Sequence, residues 1–213
     1  MTWFPKLWKG TSETMDYTEY KELKKSAIDY IETNLSEGRI KHTYAVTDEA
    51  DKLARCYGAD PMKIKIVSLL HDMARSMPVD AMNMYIQHLD LPAKYKNNPN
   101  LAHSKIGAEL AARELGIDDE EILDGISYHT TGRAHMSLVE KIIFLADAIE
   151  PGRNYPGVDE IRKLAYEDID AACAKSLSGT IEFITSKGKY LDEDTVSALE
   201  SLVNKKQKEI QDE

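Results

Sequence analysis

Strand signals are scarce in this chain: no segment alternates polar and apolar residues for long, and the single Asp124-Gly125 pair sits inside a helical pattern rather than between strands. That argues against a sheet protein. Cysteine is equally scarce. Cys56 and Cys173 are far apart and match no metal or redox spacing, so neither a disulfide framework nor a cysteine zinc site follows, and a reducing compartment is expected. No stretch approaches the roughly 18 apolar residues of a membrane span. Positive charge is also short: 27 Lys and Arg face 37 Asp and Glu, giving a net charge of -10, a balance that repels polyanions and argues against nucleic-acid binding. A phosphorylated substrate would need locally placed cations. The start of the chain, with Trp3, Phe4, Leu7 and Trp8 interrupted by Pro5 and lysines, lacks the continuous apolar run of a signal peptide. It reads as a packing extension, and the protein as soluble and cytoplasmic.

What is present is helical periodicity. Tyr17 to Leu35 is amphipathic and stops near Gly38, and Lys41 to Tyr57 ends at a C-cap glycine, Gly58. Asp60-Pro61 opens a helix with a capping residue and a proline at its first position, running to about Arg75. Helices are expected over Val79 to His88, Ala102 to Leu115, Asp118 to His129, Leu138 to Glu150, Asp159 to Ala165, Glu167 to Ser186 and Glu193 to Gln211, with Lys94 to Asn100 as a polar loop. Short connections and no internal repeat predict a single-domain, all-α bundle.

Polar groups interrupt the apolar faces of these helices. The stretch "SLLHDMARSM" ends an apolar run, Ile64 to Leu70, with His71 and Asp72. His42 shares a face with Ala45 and Val46, His103 with Ile106 and Leu110, and His129 with Ile122 and Ile126, whereas Asp147 lies within an apolar run from Ile142 to Ile149. Six ionisable groups thus point inward from five helices. A lone histidine on such a face is usually a satisfied core residue, as His88 and His135 are expected to be on exposed ground. An ionised aspartate inside an apolar run is different, since it needs a cation or several hydrogen bonds. Two aspartates with four histidines point to a shared divalent metal, for which imidazole and carboxylate ligands suit iron, manganese, nickel or zinc. Neighbours on a helix project about 100° apart, so His71 and Asp72 can straddle an ion that His42 and Asp147 close from the far side.

His42, the doublet His71-Asp72 and Asp147 resemble the H…HD…D signature of the HD-domain superfamily, all-helical metal-dependent phosphohydrolases. The stretches "LLHDMARSM", "AHSKIGAELAARELG", "ISYHTTGRAHMSLVEKIIFLADAIEPGRNYPGVDEIRKLA" and "GKYLDEDTVSALESL" are similar to the bacterial YqeK group, and the resemblance covers about Ile40 to Leu202. It implies a symmetrical bis(5'-nucleosyl)-tetraphosphatase, which cleaves diadenosine tetraphosphate to two ADP and binds iron, with manganese or zinc as alternatives. The implied metal ligands are His42, His71, Asp72 and Asp147. Asp72, His103 and His129 take catalytic roles, and His103, His129, Thr130, Arg153, Tyr190, Asp194 and Thr195 bind substrate. Arg153 suits phosphate because its planar fork holds two oxygens at once, and Lys105, Arg75 and Arg133 are candidates for a positive rim. The position three after the first histidine, often polar in relatives, is Ala45 here.

The resemblance divides the chain into an N-terminal extension with an amphipathic helix (1–38), an HD phosphohydrolase domain with C-terminal helices (39–205) and a charged tail (206–213). Substrate hydrolysis is expected to proceed by attack of a metal-activated water on the polyphosphate bridge. The partners expected are a dinucleoside polyphosphate and its ADP product, with no nucleic acid or membrane and with a homodimer possible through the long C-terminal helices. An HD-type nucleotidase or nucleoside triphosphate hydrolase, or a non-catalytic nucleotide sensor, is the alternative.

Overall fold

The computed structural model describes residues 16–212, with side chains described to residue 208, and the aromatic start of the chain lies outside them. Among the described residues all regular structure is helical, in the order α1 (Tyr17–Asn34), α2 (Glu37–Tyr57), α3 (Pro61–Leu70), α4 (Val79–His88), a single 3₁₀ turn (Ala93–Tyr95), α5 (Pro99–Leu115), α6 (Glu120–Tyr128), α7 (Leu138–Ile149), α8 (Val158–Leu164), α9 (Ile169–Ser186) and α10 (Glu193–Asp212). None of these helices is long and apolar enough to cross a membrane.

Two helices, α3 and α7, form the centre because they are apolar nearly all round. Ile64, Ile66, Val67 and Leu70 of α3 and Ile142, Ile143, Leu145 and Ala146 of α7 have no exposed surface. A helix that is apolar on every face must be enclosed by others. Around α7 pack α2, α3, α6, α8 and α9, whereas α1, α2 and α6 also enclose α3. Helix α1, which precedes residue 39, contributes Ala27 and Ile31 to the same core.

Most ends follow local chemistry. The Asp60 side chain accepts hydrogen bonds from the backbone N–H groups of Met62 and Lys63 ahead of Pro61, and α2 closes at Gly58 in the left-handed conformation. Ser137 and Glu140 form a reciprocal capping box at the start of α7. Three boundaries differ from expectation. Gly38 lies in the first turn of α2 instead of ending α1, because Leu35 is already extended and Ser36 becomes the next N-cap. Helix α5 begins at Pro99, inside the expected polar loop, since proline is well suited to a first helical turn. Helix α3 stops at Leu70 rather than near Arg75: the backbone N–H groups of Met73 and Arg75 bond the carbonyls of Leu70 and Asp72, three residues back, in tightened turns.

Close packing at α6 gives a test of this core. A Cβ on Gly125 would stand 2.7 Å from a methyl of Val67 and 3.5 Å from Val139. Gly125→Ala gains up to about 1 kcal/mol of helix propensity, but overpacking of a site this tight costs about 1–3 kcal/mol. The expected outcome is a net loss in denaturant unfolding, recovered in part by adding Val67→Ala. A Gly125→Ala protein as stable as the parent contradicts this packing.

Candidate metal centre

Asp72 sits just past the C-terminus of α3, where the tightened turn directs its carboxylate into the bundle, 3% exposed. Its two oxygens face different groups. Oδ1 lies 3.1 Å from His103 Nε2 on α5 and 3.8 Å from His129 Nε2 at the end of α6. Oδ2 lies 3.9 Å from the Nε2 atoms of His42, on α2, and His71, and accepts a hydrogen bond from Arg39 Nη1 at 3.0 Å. The imidazoles run in a row from His42 through His71 and His129 to His103, with successive ring centroids 5.5, 5.0 and 5.1 Å apart. Asp147 of α7 closes the His42 end, its Oδ1 3.0 Å from His42 Nε2. His88 and His135 are exposed and outside the cluster.

All four rings are anchored through Nδ1. His71, His103 and His129 donate from Nδ1 to the carbonyls of Ser68, Pro99 and Ile126, each three or four residues back, at 2.7, 2.9 and 2.8 Å. His42 Nδ1 donates to Glu150 Oε1 at 3.2 Å. With Nδ1 committed as donor, Nε2 is the ring atom that faces inward, and wherever it carries no proton it can offer a lone pair to a cation. The Nε2 atom of His71 is buried and has no hydrogen-bond partner, and that of His42 faces the carboxylate oxygens of Asp147 at 3.0 Å and Asp72 at 3.9 Å. Leaving an acceptor such as His71 Nε2 unpaired costs about 1–3 kcal/mol, and a cation is what the donor set fits. Two groups of ligand atoms lie close enough to share an ion: His42, His71 and Asp147, and His71, Asp72 and His129.

The electrostatics agree. Burial works against ionisation of Asp72, but His71, His103 and His129 outweigh it and hold the carboxyl well below the usual carboxylate range. Burial likewise opposes Asp147, which His42 and Arg153 hold strongly ionised. Burial lowers His71, and it pushes His129 down to about 3 with repulsion from His71 and His103 added. His42 is also desolvated, yet its contact with Asp147 leaves its pKa raised.

Around this centre the remaining expected residues separate. Thr130 Oγ1 lies 3.1 Å from His129 Nε2. Arg153 is ion-paired with the Asp147 carboxylate, and its Nε donates to the Asp147 carbonyl at 2.7 Å. Tyr190 is exposed and Thr195 buried, and neither lines the cavity beside the cluster; Asp194 stands 3.9 Å from Lys105 Nζ. Lys105 lies over the Tyr128 ring, 3.4 Å from its centre, and burial lowers its pKa to about 8. Arg75 holds Pro99 O and Asn100, and Arg133 pairs with Asp124 and Glu140, so both bind the scaffold.

Several residues of the site were not anticipated. Arg39 pairs with Asp72, as above. Glu150, buried, ties His42 to the turn after α7, and a Cβ at residue 152 would stand 2.9 Å from Glu150 Oε2, which accounts for Gly152. Arg162 of α8 donates to the carbonyls of Ile149, Glu150 and Arg153 and so fixes that turn. A cavity of about 960 Å³ adjoins the cluster, reaching from His129, Thr130, Asp147 and Arg153 to α9. A run of small residues on one face of α9, Ser176, Gly179 and Thr180, was its only trace in the sequence.

Fold and site together define an all-helical protein with a buried histidine and aspartate metal centre. The HD domain family matches residues 39–152, and the chain belongs to that family. The family and the cluster together imply dependence on a divalent metal. Among its relatives, the chain is 41% identical over 182 residues to the symmetrical bis(5'-nucleosyl)-tetraphosphatase of Bacillus subtilis (strain 168), covering 85% of this chain and 98% of that protein. The protein of the same name from Halalkalibacterium halodurans is 38% identical over 83% of this chain and 95% of its own length. A crystal structure from Clostridium acetobutylicum, described as a "predicted HD superfamily hydrolase involved in NAD metabolism", superposes with a TM-score of 0.80 at 40% identity, covering 87% of this chain and 97% of that one.

Two tests follow from the centre. In metal-depleted protein, His71 and His129 bind fewer protons folded than unfolded below the ordinary histidine value of 6.5, so stability falls as pH drops through that window. His42, with its raised pKa, contributes fully below 6.5 and leaves that slope unchanged. The two depressed carboxyls add a further loss below 3.8. Urea midpoints at successive pH values should decline from about pH 6.5 downward, by about 1.4 kcal/mol per pH unit for each proton taken up; a flat profile between pH 6.5 and 5 contradicts it. Second, Glu150→Gln should weaken metal affinity about 10–100-fold, as loss of a carboxylate behind a ligand histidine does, read by competition with a chelator.

Proposed function

We propose that this protein hydrolyses diadenosine tetraphosphate symmetrically to two ADP. One observation carries the reading: the cluster's His129 and Asp147 form one end of a large cavity, in a chain aligned over nearly the whole length of relatives named for that reaction. The products require that a hydroxyl group add to a phosphorus flanking the central bridge while the central P–O bond breaks, the bridging oxygen leaving on the second ADP. His42, His71, Asp72 and Asp147 would hold the cation, iron in this reading, though manganese and zinc accept the same ligands. When bound, the cation supplies Lewis acidity toward a phosphoryl oxygen and lowers the pKa of water.

The protein's own groups do the rest. His103, with Nδ1 donating to Pro99 O and Nε2 3.1 Å from Asp72 Oδ1, is placed to carry a second proton at Nε2 and pass it to the leaving oxygen. His129, neutral at physiological pH, offers its Nε2 lone pair without adding charge. Arg153 and Thr130 line the cavity, and the guanidinium fork and the hydroxyl would take phosphate oxygens. Tyr190, Asp194 and Thr195, none of which lines that cavity, belong in this reading to the second nucleoside.

The reading is tested by supplying diadenosine tetraphosphate with iron, manganese or zinc and resolving the nucleotides. ADP should be the sole nucleotide product. AMP with ATP, or phosphate released from mononucleotides in preference, would overturn the assignment. Asp72→Ala should lose bound metal and turnover while helical circular dichroism persists, and an Asp72→Ala protein with undiminished hydrolysis would falsify the site.

A further inference from the structure

The reaction explains the end of the cavity next to the cluster, but not its extent. About 960 Å³ is near the top of the roughly 300–1,000 Å³ that ligand pockets occupy, more than a polyphosphate alone needs. Its far walls are the Arg153–Gly157 loop, α8 and one face of α9. Two aromatic rings on these walls are left open: Tyr155, 37% exposed, and Phe183, 57% exposed. Tyr155 is held in place, its hydroxyl donating to Ala148 O at 3.0 Å. Between Ser176 and Phe183, α9 runs roughly 10 Å along the cavity, and its middle is kept clear by Gly179. A Cβ there would meet nothing within 4 Å. Glycine inside a helix is unfavourable relative to alanine, so its presence on this face favours the open space it leaves.

We infer that this cavity binds one nucleoside of the substrate, its base packed against Phe183 and Tyr155 and its phosphates directed to Arg153 at the end of the cavity beside the cluster. The inference rests on the hydrolysis proposed above and adds to it the place of the nucleoside and the residues that hold it. Flat aromatic side chains suit this purpose because every base offers a π-face to stack on. Glu160 and Lys175, 2.8 Å apart, cancel one another's charge across the α8 and α9 walls, and the remaining charged side chain there, Glu182, is acidic, so that end of the cavity suits an uncharged base rather than a further phosphate.

Three variants test it: Phe183→Ala, Phe183→Trp and Gly179→Leu. Leucine at residue 179 grows into open space and improves helix propensity, so loss of fold does not confound it. Gly179→Leu and Phe183→Ala should raise KM for diadenosine tetraphosphate and weaken ADP binding, measured calorimetrically, on the order of tenfold. Bound metal should be unchanged in both, and Phe183→Trp should restore affinity. If the parent forms ADP but Gly179→Leu and Phe183→Ala keep its KM and its ADP affinity, the nucleoside lies elsewhere and this inference fails alone. If the parent forms no ADP, the proposed reaction fails and this inference falls with it.

Discussion

A buried carboxylate that must stay ionised governs this structure. Asp72 is almost wholly removed from water, and an isolated charge there would be neutralised by protonation or expelled. What keeps it charged is Arg39, which donates to Oδ2 at 3.0 Å, and His103, whose Nε2 stands 3.1 Å from Oδ1, with the Nε2 atoms of His42, His71 and His129 also within 4 Å of its oxygens. Those groups come from α2, the turn after α3, α5 and α6. Bundle geometry and site electrostatics are therefore one problem: a helix that shifts removes both packing area and a partner of the charge.

The same economy is visible at the end of α7. Asp147 would be a liability in an apolar helix, and Arg153 answers it from the following turn. That turn needs Glu150 folded back onto His42, a glycine at 152 to leave room for it, and Arg162 to collect the freed carbonyls. The stretch Glu150-Pro151-Gly152-Arg153 is thus a device for ending a helix while orienting His42 and keeping Asp147 charged. Buried ion pairs seldom add net stability over apolar packing. Here they are retained because they hold donor atoms in place.

The helices were legible in the sequence because periodicity and caps are local. Asp60-Pro61, Gly58 and Gly116 each mark an end through chemistry confined to one turn. The inward-pointing histidines and aspartates were legible for a similar reason: each breaks the apolar stripe of its own helix. Glu150, Arg39 and the cavity were not, because their roles lie between elements. Glu150 follows its helix's apolar run, as many surface glutamates do, and only the crossing of α2 over α7 brings it to His42. Phe183 reads as an ordinary apolar residue of α9, and its exposure becomes meaningful only once the Arg153–Gly157 loop is seen to face the same space.

The excess of acidic residues sets a last constraint. A chain of net charge -10 repels a polyphosphate at long range, so attraction must be supplied locally and at short distance. The cations nearest the centre, Arg39 and Arg153, are already held by Asp72 and Asp147, the two carboxylates that a bound cation would share. A cation held by these carboxylates, as proposed above, would loosen their claim on the arginines and free guanidinium groups for phosphate oxygens. Ion and substrate binding would then be coupled through Asp72 and Asp147, while the acidic surface disfavours polyanions that cannot reach that centre.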